Sequence, residues 1–243
     1  MASLLYNLGR MVGPSMRKGK WLWQSLTGTE QERMEAEWSV GRDLAAAMRS
    51  GMAVDPAPEA AQLLTEVGAE LAKCTRSQFR RFEFTVVGQD TPNAFALPGG
   101  FVFVTRPLLD LMGADRDELA FLLGHELSHV TEEHALQRVV ADLTIGAAMR
   151  RLSSLGAVAQ SWMKTTGGRL LQSAYSRDTE LAADRLGAQL AGAAGFDRGA
   201  ATRMLTRLQA SAGRSEGKGI AAYFASHPPF DVRIAELERH LAR

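Results

Sequence analysis

His125, Glu126 and His129 fall in the order His-Glu-x-x-His within Gly124-His125-Glu126-Leu127-Ser128-His129. On an α-helix, residues four apart are offset by only about 40°, so both imidazoles can face one point. Glu126 leads His125 by about 100°, which sets its carboxylate beside that point rather than on it. Two converging imidazoles suit a Zn²⁺ ion, and a neighbouring carboxylate can take a proton from water held there. The pattern is short and the chain has five histidines in 243 residues, so its surroundings must support it. A core helix with two hydrogen-bonded histidines is the competing reading.

The surroundings are helical. Asp115 reads as an N-cap, with Glu118 as its capping-box partner, and Leu119, Leu122, Leu123, Glu126 and Val130 follow at helical spacing. A zinc site needs a third protein ligand. An extension on the same helix would require Gly at 132 and His at 135, but Glu132 and Ala135 stand there. The other common solution is a Glu from a later helix, and Glu180-Leu181-Ala182-Ala183-Asp184 offers one. Glu180 and Asp184 are four apart and share one helix face. Alone they would read as a solvated acidic edge. Beside His-Glu-x-x-His, Glu180 reads as the third ligand, and Asp184 as an acceptor for an imidazole N–H.

His-Glu-Leu-Ser-His followed by Glu-Leu-Ala-Ala-Asp resembles the HtpX and CAAX prenyl protease type 1 family of zinc metallopeptidases. The stretch from Asn93 to Thr105, the histidine at 134 and Ser226-His227-Pro228-Pro229 match that family as well. The resemblance runs from about Glu30 to the C-terminus. It implies a zincin-like domain with one Zn²⁺ per chain on His125, His129 and Glu180, and Glu126 as general base. The matching Asp has also been assigned as a proton donor in that family, which makes Asp184 a catalytic candidate, but the acceptor role is preferred because Glu126 already accounts for the proton transfers. The implied activity is that of a zinc metalloendopeptidase on polypeptides, unfolded or misfolded proteins among them, in protein quality control. Two rival readings stand beside it. One is a catalytically silent zinc-binding chaperone or scaffold, against which the intact Glu126 argues; the other is a helical interaction protein with a coincidental motif.

Other residues bear on the same chemistry. His134 lies nearly opposite His125 on an uninterrupted helix, which favours hydrogen bonding over metal ligation. Arg177 and Arg233 could orient carboxylates or a developing oxyanion, with surface roles equally open. His227 sits between the glycine-rich loop from Gly213 to Gly219 and the stiff Pro228-Pro229 pair. It is expected to act as a gate, a fourth ligand that closes the open metal position. The alternatives are a hydrogen-bond donor to the tetrahedral intermediate and a plain turn residue.

These residues need a frame. A capping box at Thr29 and Glu32 opens a helix that stops at Gly51, striped by Met34, Trp38, Ala45 and Met48. A second helix follows Pro58 and buries Leu63, Leu64, Val67 and Leu71. Phe82, Phe84 and Val86 alternate as in a half-buried strand. Residues 93–97 and 101–105 read as two short strands around Pro98-Gly99-Gly100. The region from Arg106 onward is helical, and Asp231 is expected to cap the last helix. The fold class is therefore α+β, predominantly helical, with a small sheet before the His-Glu-x-x-His helix. An edge of that sheet could take an extended peptide by strand addition, or the strands could form a simple structural hairpin.

Composition bounds the rest. Hydrophobic residues make up 46%, charged ones 23%, and the net charge is +1. That balance is ordinary for a globular domain and gives no field for nucleic acid. The single cysteine, Cys74, cannot pair within the chain and is expected to be packed inside. No stretch approaches the roughly 20 apolar residues that cross a bilayer; the most apolar region, 143–163, is broken by Arg150 and Arg151. In this the chain departs from the membrane-embedded branches of the family and resembles its soluble branch. No signal-peptide pattern opens the chain, so a cytoplasmic or membrane-peripheral location is expected. The expected domains are a basic arm over 1–29 and a metallopeptidase domain over 30–243. The arm holds Arg10, Arg17, Lys18, Lys20, Trp21 and Trp23 without an acid. It could touch an anionic membrane surface, though packing of its tryptophans on the domain is the preferred reading.

Overall fold

The structure, a computed structural model, describes residues 28–139, 175–212 and 227–242. Residues 1–27 of the basic arm, on which its packing and membrane readings rest, the apolar region 143–163 and the loop 213–219 lie outside the described residues. Within them the order is α1 (Glu30–Gly51), α2 (Pro58–Lys73), β1 (Glu83–Val87), β2 (Ala94–Leu97), β3 (Phe101–Thr105), α3 (Arg106–Met112) and α4 (Arg116–Thr131). Then come α5 (Arg177–Ala193), α6 (Ala200–Ala212) and α7 (Phe230–Leu241). Among the described residues no helix is long and apolar enough to cross a membrane. The domain is predominantly helical α+β, with one small sheet ahead of the His-Glu-x-x-His helix.

The sheet has the order β1-β3-β2, with β1 parallel and β2 antiparallel to the central β3. Side chains alternate across β3, so its two faces feed two apolar clusters. Val102 and Val104 join Val86, Leu64, Leu122 and Leu127 on one side. Phe101 and Phe103 join Phe95, Leu97, Val87, Ala45 and Met48 on the other. Because α1 covers that second face, β1 is not the half-buried strand its alternation predicts: Thr85, Val86 and Val87 are all buried. Pro98-Gly99-Gly100 makes a tight turn between β2 and β3, and φ values of 79° and 94° at the two glycines explain why they stand there.

Helix α1 starts as its sequence dictates, with Thr29 and Glu32 capping each other reciprocally. Its buried face is wider than an apolar stripe, since it includes Glu37. The Glu37 carboxylate accepts from Arg80 Nη1 at 3.1 and 3.2 Å and from the Gly99 N–H at 2.9 Å. One buried acid thus ties α1, the segment before β1 and the β2–β3 turn together. Three other expectations change. Pro229, not Asp231, occupies the N-cap of α7, and Asp231 sits in the first turn, where its charge meets the helix dipole. Cys74 is exposed, because it follows the last turn of α2 beyond the face that packs. Asp115 caps α4 through the N–H groups of Asp117 and Glu118, but Glu118 does not return the bond; its carboxylate lies 2.9 Å from Arg207 Nη2.

Replacing Glu37 by Ala leaves the Arg80 guanidinium, 5% exposed, without its carboxylate. Breaking a buried pair from one side costs about 3–5 kcal/mol. Urea denaturation of Glu37→Ala should therefore show an unfolding free energy lowered by about that amount, seen as a lower midpoint at an unchanged slope.

Candidate metal centre

Helix α4 is buried all round, from Glu118 to Val130, rather than presenting only an apolar back. Its main partner is α5, the most extensive packing between any two described elements. The two cross where Gly124 meets Gly187. A Cβ on Gly124 would stand 2.7 Å from the Gly187 carbonyl oxygen, and one on Gly187 would stand 2.6 Å from the His125 nitrogen. Backbone against backbone, the helices bring His125, next to Gly124, within reach of Asp184 and Glu180, which lie one and two turns before Gly187.

The result is a closed cluster. Ligand-type atoms of His125, His129 and Glu180 all lie within 4.8 Å of one another. The two Nε2 atoms are 3.2 Å apart. His125 Nε2 is 3.5 Å from one Glu180 oxygen, and His129 Nε2 is 3.6 Å from the other. His227 approaches from the chain just before α7, its Nε2 3.5 Å from Glu180 Oε2. It stands outside the closed set of three.

These residues fit a metal ion by two independent observations. Ligand atoms about 2.0–2.2 Å from a tetrahedral ion lie roughly 3.3–3.6 Å from one another, the spacing seen here. The hydrogen-bond accounting agrees. Asp184 Oδ1 lies 2.9 Å from His125 Nδ1, so that nitrogen donates and, in the neutral ring, Nε2 keeps its lone pair. His129 Nδ1 lies 3.3 Å from His134 Nδ1; with His129 donating, its Nε2 lone pair is also turned inward. Both Glu180 oxygens are buried without a hydrogen bond. Acceptors facing acceptors in a dry site call for a cation between them.

The charges show the same strain. Burial pushes Glu180 up to about 7 against the pull of His125 and Arg233. Burial likewise raises Glu126, which lines the cleft beside Glu180, and drives His129 well below its usual value, with nearby cations adding to the effect. Asp184 differs. Burial is its largest influence and would raise it, but Arg233 and His125 together hold it well below the usual carboxylate range.

His134 lies where an uninterrupted helix would not put it. Helix α4 ends at Thr131, and Glu133, in a left-handed conformation with φ 59°, turns the chain so that His134 swings back to His129. Tyr175 stacks on His129 with ring centroids 4.1 Å apart and 13° between planes. The Arg138 guanidinium lies 3.5 Å over the Tyr175 ring. Sequence reasoning missed both residues, because neither has a spacing signal that ties it to the motif. Of the two arginines considered, Arg177 is exposed, while Arg233 is 1% exposed and grips Asp184 through two bonds of 2.6 and 2.8 Å. Asn93, Ala94, Phe95 and Ala96 line the cleft opposite Glu126, His129 and His227, so the edge strand β2 borders the cluster.

The described residues thus form a predominantly helical domain with a buried two-histidine, one-carboxylate cluster and a strand along its rim. Residues 58–241 match Peptidase family M48, and the chain belongs to that family. It is 32% identical over 170 residues to the mitochondrial metalloendopeptidase OMA1 of Schizosaccharomyces pombe, covering 66% of this chain and 47% of that protein. It is 33% identical over 189 residues to a protease HtpX homolog of Salinibacter ruber, covering 65% and 67%. With the metalloprotease YcaL of Escherichia coli it shares 29% over 198 residues, covering 78% and 76%. The chain thus spans about half the length of the first of these relatives.

Gly187→Ala tests the crossing. The added methyl would meet the His125 backbone at 2.6 Å, so α4 and α5 must separate. Overpacking of this kind costs about 1–3 kcal/mol. Titration of the folded variant with divalent metal ions should show affinity reduced at least ~10-fold relative to the intact chain, since a shift of a few tenths of an ångström spoils ligand geometry.

Proposed function

We propose that the protein is a zinc-dependent metalloendopeptidase that binds one Zn²⁺ per chain through His125, His129 and Glu180. The observation that carries this reading is the Glu180 carboxylate: fully buried, without a hydrogen bond, and faced by imidazole nitrogens at 3.5–3.6 Å. A bound zinc ion supplies Lewis acidity, acidifying water and polarising a carbonyl.

The chain's own residues do the rest. Glu126, 4% exposed beside the cluster, accepts the proton of the attacking water and delivers it to the leaving amine. Burial raises its carboxyl above the usual range, a shift that makes it a stronger acceptor for that proton. Asp184 holds His125 with Nδ1 protonated and Nε2 turned toward the cluster; its ionised, arginine-bound state makes it a poor proton donor, so its role is to orient. Among the described residues strand β2 is the sheet's terminal strand, and a substrate segment pairing with its outer edge would lie along the cleft. Only an extended stretch can pair in this way, so unfolded or misfolded polypeptides are the proposed substrates and protein quality control the proposed setting.

Casein digestion and zinc analysis test the assignment together. Glu126→Gln should keep its zinc and lose about 10²–10⁴ of its cleavage rate, whereas Glu180→Ala should lose zinc itself. Near-normal cleavage by Glu126→Gln, or normal zinc occupancy in Glu180→Ala, would reject it.

His227 is proposed as a gate, because it meets Glu180 at ligand spacing from a separate element. If it closes the open position, His227→Ala should raise the rate of casein cleavage at unchanged zinc content. A large loss of rate would instead mark it as a donor to the tetrahedral intermediate, and no change would leave a turn residue.

A further inference from the structure

We infer that Arg233 is a positioning residue of the metal centre, acting through Asp184 to hold His125 in the orientation that presents Nε2 to the ion. This rests on the reading of His125 as a metal ligand. Three helices meet in the contact: His125 from α4, Asp184 from α5 and Arg233 from α7. All three side chains are almost wholly inaccessible to water.

The geometry divides the carboxylate's work. Arg233 Nε donates to Oδ2 at 2.8 Å, and a terminal nitrogen donates to Oδ1 at 2.6 Å. The same Oδ1 accepts from His125 Nδ1 at 2.9 Å. A carboxylate on its own rotates readily about its last torsion. The planar two-pronged guanidinium removes that freedom and leaves one oxygen lone pair aimed at the imidazole. With both oxygens held by the guanidinium, Oδ1 stays facing His125 Nδ1 and accepts its hydrogen. A lysine could supply the charge but not the plane. α7 therefore reaches the metal centre at one remove, and its docking fixes a ligand that another helix carries.

The test measures zinc affinity by competition with a chelating dye, with thermal melting of the metal-free chain as a control on folding. Arg233→Lys should melt within a few degrees of the intact chain yet bind zinc about 10–100-fold more weakly, the range for losing such a support. Asp184→Asn should weaken binding similarly. Combining the two should add less than about twofold, because both act on the same bond to His125. Intact affinity in Arg233→Lys, or losses that multiply in the double variant, would overturn the inference. Should Arg233→Lys fail to fold, the uncharged pair Arg233→Gln with Asp184→Asn takes its place. Its affinity should lie no lower than that of Asp184→Asn alone, and a further ~10-fold fall would overturn the inference. Failure of the intact chain to bind zinc would reject the metallopeptidase reading itself, an outcome distinct from any of these.

Discussion

The crossing of α4 and α5 at Gly124 and Gly187 is the contact on which the rest of the site depends. Each glycine excludes a Cβ that the other helix's backbone would strike. At that separation, His125 and His129 reach Glu180 from a neighbouring helix. With an ordinary side chain at either position the axes would stand further apart, toward the upper end of the usual 8–10 Å. The ligand atoms, now 3.2–3.6 Å from one another, would then no longer close around one point. Helix α4 can sit so deep because it is apolar over most of its circumference. Five of its polar residues, Glu118, His125, Glu126, Ser128 and His129, are buried with it.

Burying those groups has a cost that sets the chemistry. Glu126, Glu180 and Asp184 lie together in a place where a carboxylate is poorly solvated. Asp184 is compensated by Arg233 and His125. Glu180 is not, and its pKa of about 7 records that imbalance. The divalent cation proposed among Glu180, His125 and His129 would remove it, since the lone pairs that face one another would then face the ion. The folded chain is thus under-neutralised at one point, and binding energy at that point is also folding energy.

Much of this was legible in the sequence because the decisive spacings are local. The i, i+4 pairs His125–His129 and Glu180–Asp184 lie within single helices, as do the caps at Thr29 and Asp115. Local hydrogen bonding and helical period decide those with little help from tertiary context. The short strands around Pro98-Gly99-Gly100 were legible for a similar reason, since a turn with two positive φ values selects its residues. Expectations changed where a distant partner intervened. Glu118 abandons its capping box for Arg207, 89 positions away in the chain. The covered second face of β1 depends on α1, and no alternation within β1 can report it.

His134 and Arg233 show two different limits. His134 was placed by extrapolating a helix three residues too far; one left-handed residue at Glu133 reverses its direction and makes it the partner of His129. Arg233 was open between surface and site because an arginine on an amphipathic helix fits both. What separates the two is a buried acid of matching shape on another helix, and nothing near Arg233 in sequence encodes Asp184, 49 positions earlier. The ligands of such a site are written in short motifs, whereas the groups that orient them are written in the packing. Tyr175 and Arg138 belong with Arg233 here: their stack against His129 arises where the ends of two helices meet, and each is an ordinary residue until the fold brings them together.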